Sequence, residues 1–256
     1  MTADRWTQVV RRQLGLGRLL PLGGARDGAW ITEAAAGTVL RHAAELLPGV
    51  RPGTLRIALA DPDEVREAAV PPPPSALPPG PLRVTAEFTA AADPAAPDSE
   101  PLPQTADRLR TALLAAAHQR LGLAVDEVDL RVTDLLNGDP DGDSGPDSPA
   151  APDTGARRPA AGPPAGDGET SRAAAAALSV PGVTRTTDML GHPVHIQDTG
   201  PGDDAALPRR HVRVEIAVTA DVRALDAARA VRGAVAAALP DHPSVAVVVT
   251  AVDGSL

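Results

Sequence analysis

Residues 128–135 read VDLRVTDL, and residues 245–252 read VAVVVTAV. Val128, Leu130, Val132, Thr133 and Leu135 fall on the same frame as Val245, Val247, Val249, Thr250 and Val252. An apolar residue at every second position is the period of a β-strand that buries one face. Whether two strands or two domains are alike depends on what precedes each of them.

The likeness continues upstream. LPQTADRLRTALLAAAHQRLG before the first strand and DVRALDAARAVRGAVAAALP before the second carry apolar residues at helical spacing. Leu102, Ala106, Leu109, Leu113, Ala116 and Leu121 line one helix, and Val222, Leu225, Ala228, Val235 and Leu239 the other, with most arginines opposite. Further upstream, Leu82, Val84, Ala86 and Phe88 of PLRVTAEFTA align with Val212, Val214, Ile216 and Val218 of RHVRVEIAVT. These alternating strands are predicted to leave Glu87 and Glu215 on wet faces. Before them, TEAAAGTVLRHAAELL and TSRAAAAALSV read as helices that each end in Pro-Gly-Val, at residues 48–50 and 181–183. Proline cannot continue the helical ladder, and glycine lets the chain reverse. A short strand follows each, over residues 55–59 and around residues 194–196.

Each unit therefore reads helix, strand, strand, helix, strand. The expected fold is α+β, with two copies of a small domain in which helices pack on a three-stranded sheet. The division is residues 29–137 for the first copy and 170–256 for the second. Residues 138–169, built of Gly, Pro, Asp and Ala, are expected to be a disordered linker. The first copy also carries VPPPPSALPPGP, which by composition is an extended polyproline spacer. Residues 1–28 are read as an N-terminal amphipathic helix and loop, with Trp6, Val9, Val10 and Leu14 beside Arg5, Arg11 and Arg12.

Composition bounds the function. The chain has 256 residues, is 43% hydrophobic and only 1% aromatic, so its cores rest on Val, Leu, Ile and Ala. A formal net charge of -9 lacks the basic stripe that displaces counterions from phosphate, which argues against nucleic-acid binding. Without cysteine there is no disulfide, thiolate nucleophile or Cys-based zinc site, and without lysine there is no P-loop. Arginines at 5, 11, 12 and 18 interrupt any secretory apolar run, and no stretch has the length of a membrane span. The expected location is the cytoplasm, with peripheral contact at the inner face of the membrane through residues 1–20 as a further option.

The search for chemistry yields few groupings. Gly15-x-Gly17 meets Leu20 where a dinucleotide fingerprint needs its third glycine. Asp139, Asp141 and Asp143 resemble a calcium loop, but Ser144 and Ala150 stand where glycine and glutamate are required. His192 and His195, followed by Asp198, Asp203, Asp204 and His211, are the candidate metal ligands; exposed loop histidines without a metal are the expected reading. No serine sits in a nucleophile elbow, so no catalytic residue and no cofactor are assigned. Partner-binding candidates are the helix arginines Arg108, Arg110, Arg223, Arg229 and Arg232, which suit an acidic protein, and Trp6.

AWITEAAAGTVLRHAAELLPGV, and more closely SRAAAAALSVPGV, HVRVEIAVTADV, AARAVRGAVAAAL and SVAVVVTAVDG, resemble the alkaline-shock-protein, or envelope stress response, family of Gram-positive bacteria. The whole chain also resembles an actinobacterial family labelled nucleopolyhedrovirus P-ten family protein, a label from which no viral function follows. The resemblance implies a non-enzymatic protein that self-associates or docks at the membrane through a partner, and it supplies no catalytic residues. The leading expectation is thus a scaffold or protein-interaction module. The alternative is a small-molecule or metal-ion sensor that uses the interface between the two repeats.

Overall fold

The computed structural model describes residues 17–91, 101–136, 168–199 and 209–254. Trp6 and the predicted N-terminal helix, most of the expected linker, and Asp203 and Asp204 lie outside the described residues. The fold is mixed α/β with two sheets and four α-helices among the described residues.

The first unit begins with helix α1 (Glu33–Glu45), whose first turn is capped by Thr32 Oγ1 accepting the Ala35 amide at 3.2 Å. Strand β3 (Val50–Leu59) runs antiparallel to β4 (Leu82–Ala91). Helix α2 (Leu102–Ala115) and a π-helical turn (Ala116–Leu121) then return the chain to β5 (Val125–Leu136), parallel to β4. This sheet is three-stranded, in the order β3-β4-β5. The second unit follows the same path. Helix α3 (Gly168–Leu178) leads to β6 (Val183–Thr186) and β7 (Val194–Thr199), both antiparallel to β8 (Arg209–Thr219). Helix α4 (Ala224–Ala238) then crosses to β9 (Ser244–Asp253), parallel to β8.

The two units agree in detail. Gly49 and Gly182 both adopt positive φ, at 74° and 89°. Their carbonyls accept the amides of Ala91 and Thr219, each at 2.8 Å. The bulged threonines match as well: Thr133 Oγ1 donates to the Phe88 carbonyl at 3.3 Å, and Thr250 Oγ1 to the Ile216 carbonyl at 3.2 Å. These contacts pair Phe88 with Ile216 and Glu87 with Glu215. The alignment of Phe88 with Val218 made from strand period alone is two residues out, because a period of two cannot tell one inward position from the next.

The second sheet is not three-stranded as expected. Leu19–Leu22 forms β1 and Ala29–Thr32 forms β2, an antiparallel hairpin, and β2 pairs in parallel with β9. The sheet has six strands, ordered β1-β2-β9-β8-β6 with β7 also on β8. The hairpin crosses the boundary drawn between residues 28 and 29, and strand replaces part of the loop read into residues 17–28. Inward residues Leu20, Leu22, Ala29 and Ile31 join one buried cluster with Phe88, Leu109, Val214, Val231 and Val247, so a single core runs through both units.

The Pro-rich stretch is not a spacer. Residues 60–81 connect β3 to β4, and their middle lies on the outer face of the six-stranded sheet. Leu77 N–H donates to the Leu19 carbonyl at 2.8 Å, Leu19 N–H donates to the Ser75 carbonyl at 3.3 Å, and Trp30 Nε1 donates to the Leu77 carbonyl at 3.3 Å. Val70 packs with Leu19, Trp30, Ala246 and Val248 in a second, smaller cluster. Proline lacks an amide donor, so a Pro-rich segment can cover a sheet without exposing a further hydrogen-bonding edge.

Candidate interaction surface

The arginines singled out by helical pattern lie on α2 and α4, with Arg223 at the N-cap of α4, and the structure occupies most of them within the chain. Arg229 Nε donates to Asp27 Oδ1 at 2.8 Å, and Arg232 donates to the carbonyls of Arg26 and Asp27, clasping the tip of the β1-β2 hairpin. Arg223 Nε reaches the His118 carbonyl at 2.9 Å. Arg229 and Arg232 thus hold the hairpin to α4, and Arg223 ties the second unit to the first, rather than presenting a free cationic face. Burial pushes the Asp27 carboxyl up, but hydrogen bonds from Arg229 and the Gly24 amide and the charges of Arg229 and Arg232 outweigh it and hold the group below its ordinary value. On α2, Arg108 Nη2 donates to the Pro48 carbonyl at 3.1 Å, and Arg110 pairs with Asp107 at 2.6 Å.

His192 is exposed in the turn before β7, and His195 lies on β7 directly opposite Arg213 of β8. Desolvation, then the charges of Arg213 and His192, hold the His195 imidazole below its ordinary value. His211 is also shifted down, chiefly by burial and with the charges of Arg213 and His195, against a hydrogen bond to the Ser244 backbone; its Nδ1 lies 2.9 Å from Ser244 Oγ. Among the described residues no three His, Asp or Glu side chains come together as metal ligands.

Glu215 is the main correction among the polar residues. Predicted to be solvated, it is fully buried, beneath residues 187–193 that leave the edge of the sheet between β6 and β7. Leu190 N–H donates to its Oε2 at 2.9 Å, and Arg213 Nη2 lies 3.6 Å from its Oε1. Burial pushes its carboxyl up against the pull of the Leu190 amide and Arg213. Both Glu215 Oε1 and Arg213 Nε are buried without a hydrogen-bond partner among the described residues. Through the Leu190 amide, Glu215 clamps the loop above it.

An edge with exposed apolar side chains lies in the first unit. Strand β5 is an edge of the three-stranded sheet and pairs with β4 along its length. Val132 and Leu135, on the apolar side of that strand, are 40% and 43% exposed. A long edge strand carries a row of unpaired amides and carbonyls, which makes it a template for another strand. Sequence reasoning identified the strand but not its place at the edge, because strand order depends on long-range pairing. A groove of about 520 Å³ opens at the other end of β5, where Gly23 and Gly24 of the hairpin tip meet Glu64, Arg66, Pro79 and Asp126.

No family model matches the chain, and neither a curated protein nor a solved structure does. No helix among the described residues is long and apolar enough to cross a membrane.

Proposed function

We propose that the protein is a non-enzymatic interaction module that arose by tandem duplication of one small α+β unit, and that β5 is its docking element. The observation that carries this reading is the open β5 edge with Val132 and Leu135 exposed beside it. The duplication is supported by the shared strand path, the paired Pro-Gly-Val turns and the matching bulged threonines. In this reading Glu215 serves the fold by holding down a loop through the Leu190 amide. A cytoplasmic scaffold, held at the inner face of the membrane through a partner, follows from the resemblance to envelope stress proteins.

The test is photo-crosslinking in the native host, with the probe at position 132 and a control probe at Glu67, which is exposed on the Pro-rich connection. Adducts from position 132 that the control lacks are expected. The same adducts from both positions, or none from either, would overturn the docking role of β5. The sensor reading draws on the groove at Gly23, Arg66 and Asp126, where the hairpin meets the first unit. It predicts instead a ligand-dependent rise in melting temperature that Arg66→Ala and Asp126→Ala abolish.

A further inference from the structure

Resting on the reading of β5 as a docking edge, we infer that its occupant is β5 of a second copy of this chain, paired antiparallel about a two-fold axis at Leu130. The argument is one of register. Between bulges at Asp126 and Thr133, β5 is regular from Glu127 to Val132. Along that stretch Val128, Leu130 and Val132 face the apolar side, and Glu127, Asp129 and Arg131 face solvent.

Two copies of one edge meet symmetrically only in antiparallel pairing. Residues directly opposite each other share a face, so a register that opposes Asp129 to Leu130 would carry charges onto the apolar side and is excluded. Three central registers remain. Centred on Asp129, the pairing sets Glu127 opposite Arg131 twice but puts two carboxylates directly opposite each other on the axis; centred on Arg131, it puts two guanidinium groups on the axis and leaves Asp129 opposite Thr133. Like charges directly opposite are destabilising. Centred on Leu130, no like charges are opposed within the regular stretch: Asp129 lies opposite the second copy's Arg131 twice over, Leu130 meets its own symmetry mate, half-exposed Val132 meets Val128, and Glu127 faces the bulged Thr133.

The charges within one chain are arranged to allow this. Arg83 of β4 bonds Glu127 and lies 3.6 Å from Asp129, whose side chain is still 62% exposed. The Arg131 guanidinium forms no ion pair among the described residues. The bulge residues close the regular stretch at each end, so Asp126 and Asp134, which this register would oppose, lie beyond it. The joined sheets form a continuous six-stranded sheet, and Val132 loses its solvent contact.

Sedimentation equilibrium on the full chain tests the register through a charge swap. The wild type is expected to self-associate with rising concentration. Arg131→Asp sets carboxylates opposite each other at two places and should weaken association at least about tenfold. Asp129→Arg should do the same with guanidinium groups, and the double change Asp129→Arg with Arg131→Asp should restore it. Because both side chains are on the wet face, melting midpoints should stay close to wild type. A wild type that is monomeric at every concentration, a single reversal without effect, or a double variant as weak as the single ones overturns the proposal. Failure here is separable from failure of the docking reading. If the wild type is monomeric but a probe at position 132 captures a different protein, β5 is a docking edge for that protein and the self-pairing falls. If position 132 yields no specific adduct at all, both readings fall.

Discussion

Glu87 and Glu215 occupy the same position in the two units, yet one is half-exposed and the other fully buried. The difference comes from what lies over the strand, since residues 187–193 and the Pro-rich connection cover the outer face of the second sheet alone. The consequence of that cover is a carboxyl raised above its ordinary 4.5 and two imidazoles, His195 and His211, lowered below 6.5. The signs oppose each other. A raised folded-state value means that the folded form holds the proton more tightly, so Glu215 contributes stability that is complete at low pH and lost as pH rises through its folded value. Lowered imidazoles contribute stability that is complete above about 6.5 and lost as pH falls through their folded values. Between pH 6.5 and 4.5 the contributions of the carboxyl and the imidazoles therefore oppose each other in the wild type. Replacing His195 and His211 with Gln should make stability rise as pH falls through this window, and Glu215→Gln should make it fall. Urea midpoints across a pH series measure both slopes, and slopes of the same sign in the two variants would show that these groups do not set the balance.

At the scale of elements, the paired helices, the Pro-Gly-Val stops and the final strands were legible in the sequence because each has a period or a breaker long enough to read. Strands β1 and β2 were not, since LLPL and AWIT have four residues each, too few to establish any period. The burial of Glu215 left a trace that alternation alone overlooks: VDLRVTDL alternates, whereas VAVVVTAV is apolar almost throughout, which is the mark of a strand covered on both faces. The Pro-Gly-Val turns also differ in a way the sequence hides. A Cβ on Gly182 would lie 2.6 Å from Val222 Cγ2, while one on Gly49 would meet Ala91 at an ordinary 3.4 Å. Gly49→Ala should thus cost about 1 kcal/mol, for the left-handed backbone alone. Gly182→Ala should cost about 2–4 kcal/mol, because the clash adds to the same strain. Equal losses in urea unfolding would mean that Val222 moves aside freely and that the turn, not its packing, sets the cost.

The whole molecule departs furthest from two independent beads. Strand β2 precedes the first unit in sequence but completes the sheet of the second, α1 packs against both β3 and β9, and the connection between β3 and β4 covers the outer face of the second sheet. Arg229 and Arg232 fasten the hairpin tip, and Gly23 N–H donates to the Gly122 carbonyl at 2.9 Å. Gly122 itself sits so close to α4 that a Cβ there would lie 2.5 Å from Leu225 Cβ. None of this follows from the repeat pattern, because repetition describes each unit alone and says nothing of strands exchanged between them. It leads to a prediction opposite to independent folding. With a specific protease site placed between residues 137 and 168, cleavage should yield two fragments that co-elute as one folded particle in size-exclusion chromatography and part only in denaturant. Leu225→Asp should instead let the cleaved fragments separate, since it puts an unpaired charge where α4 meets the first unit. Fragments of the wild-type sequence that separate under native conditions, each with a cooperative melt of its own, would show that the shared core contributes little and that the two units stand alone.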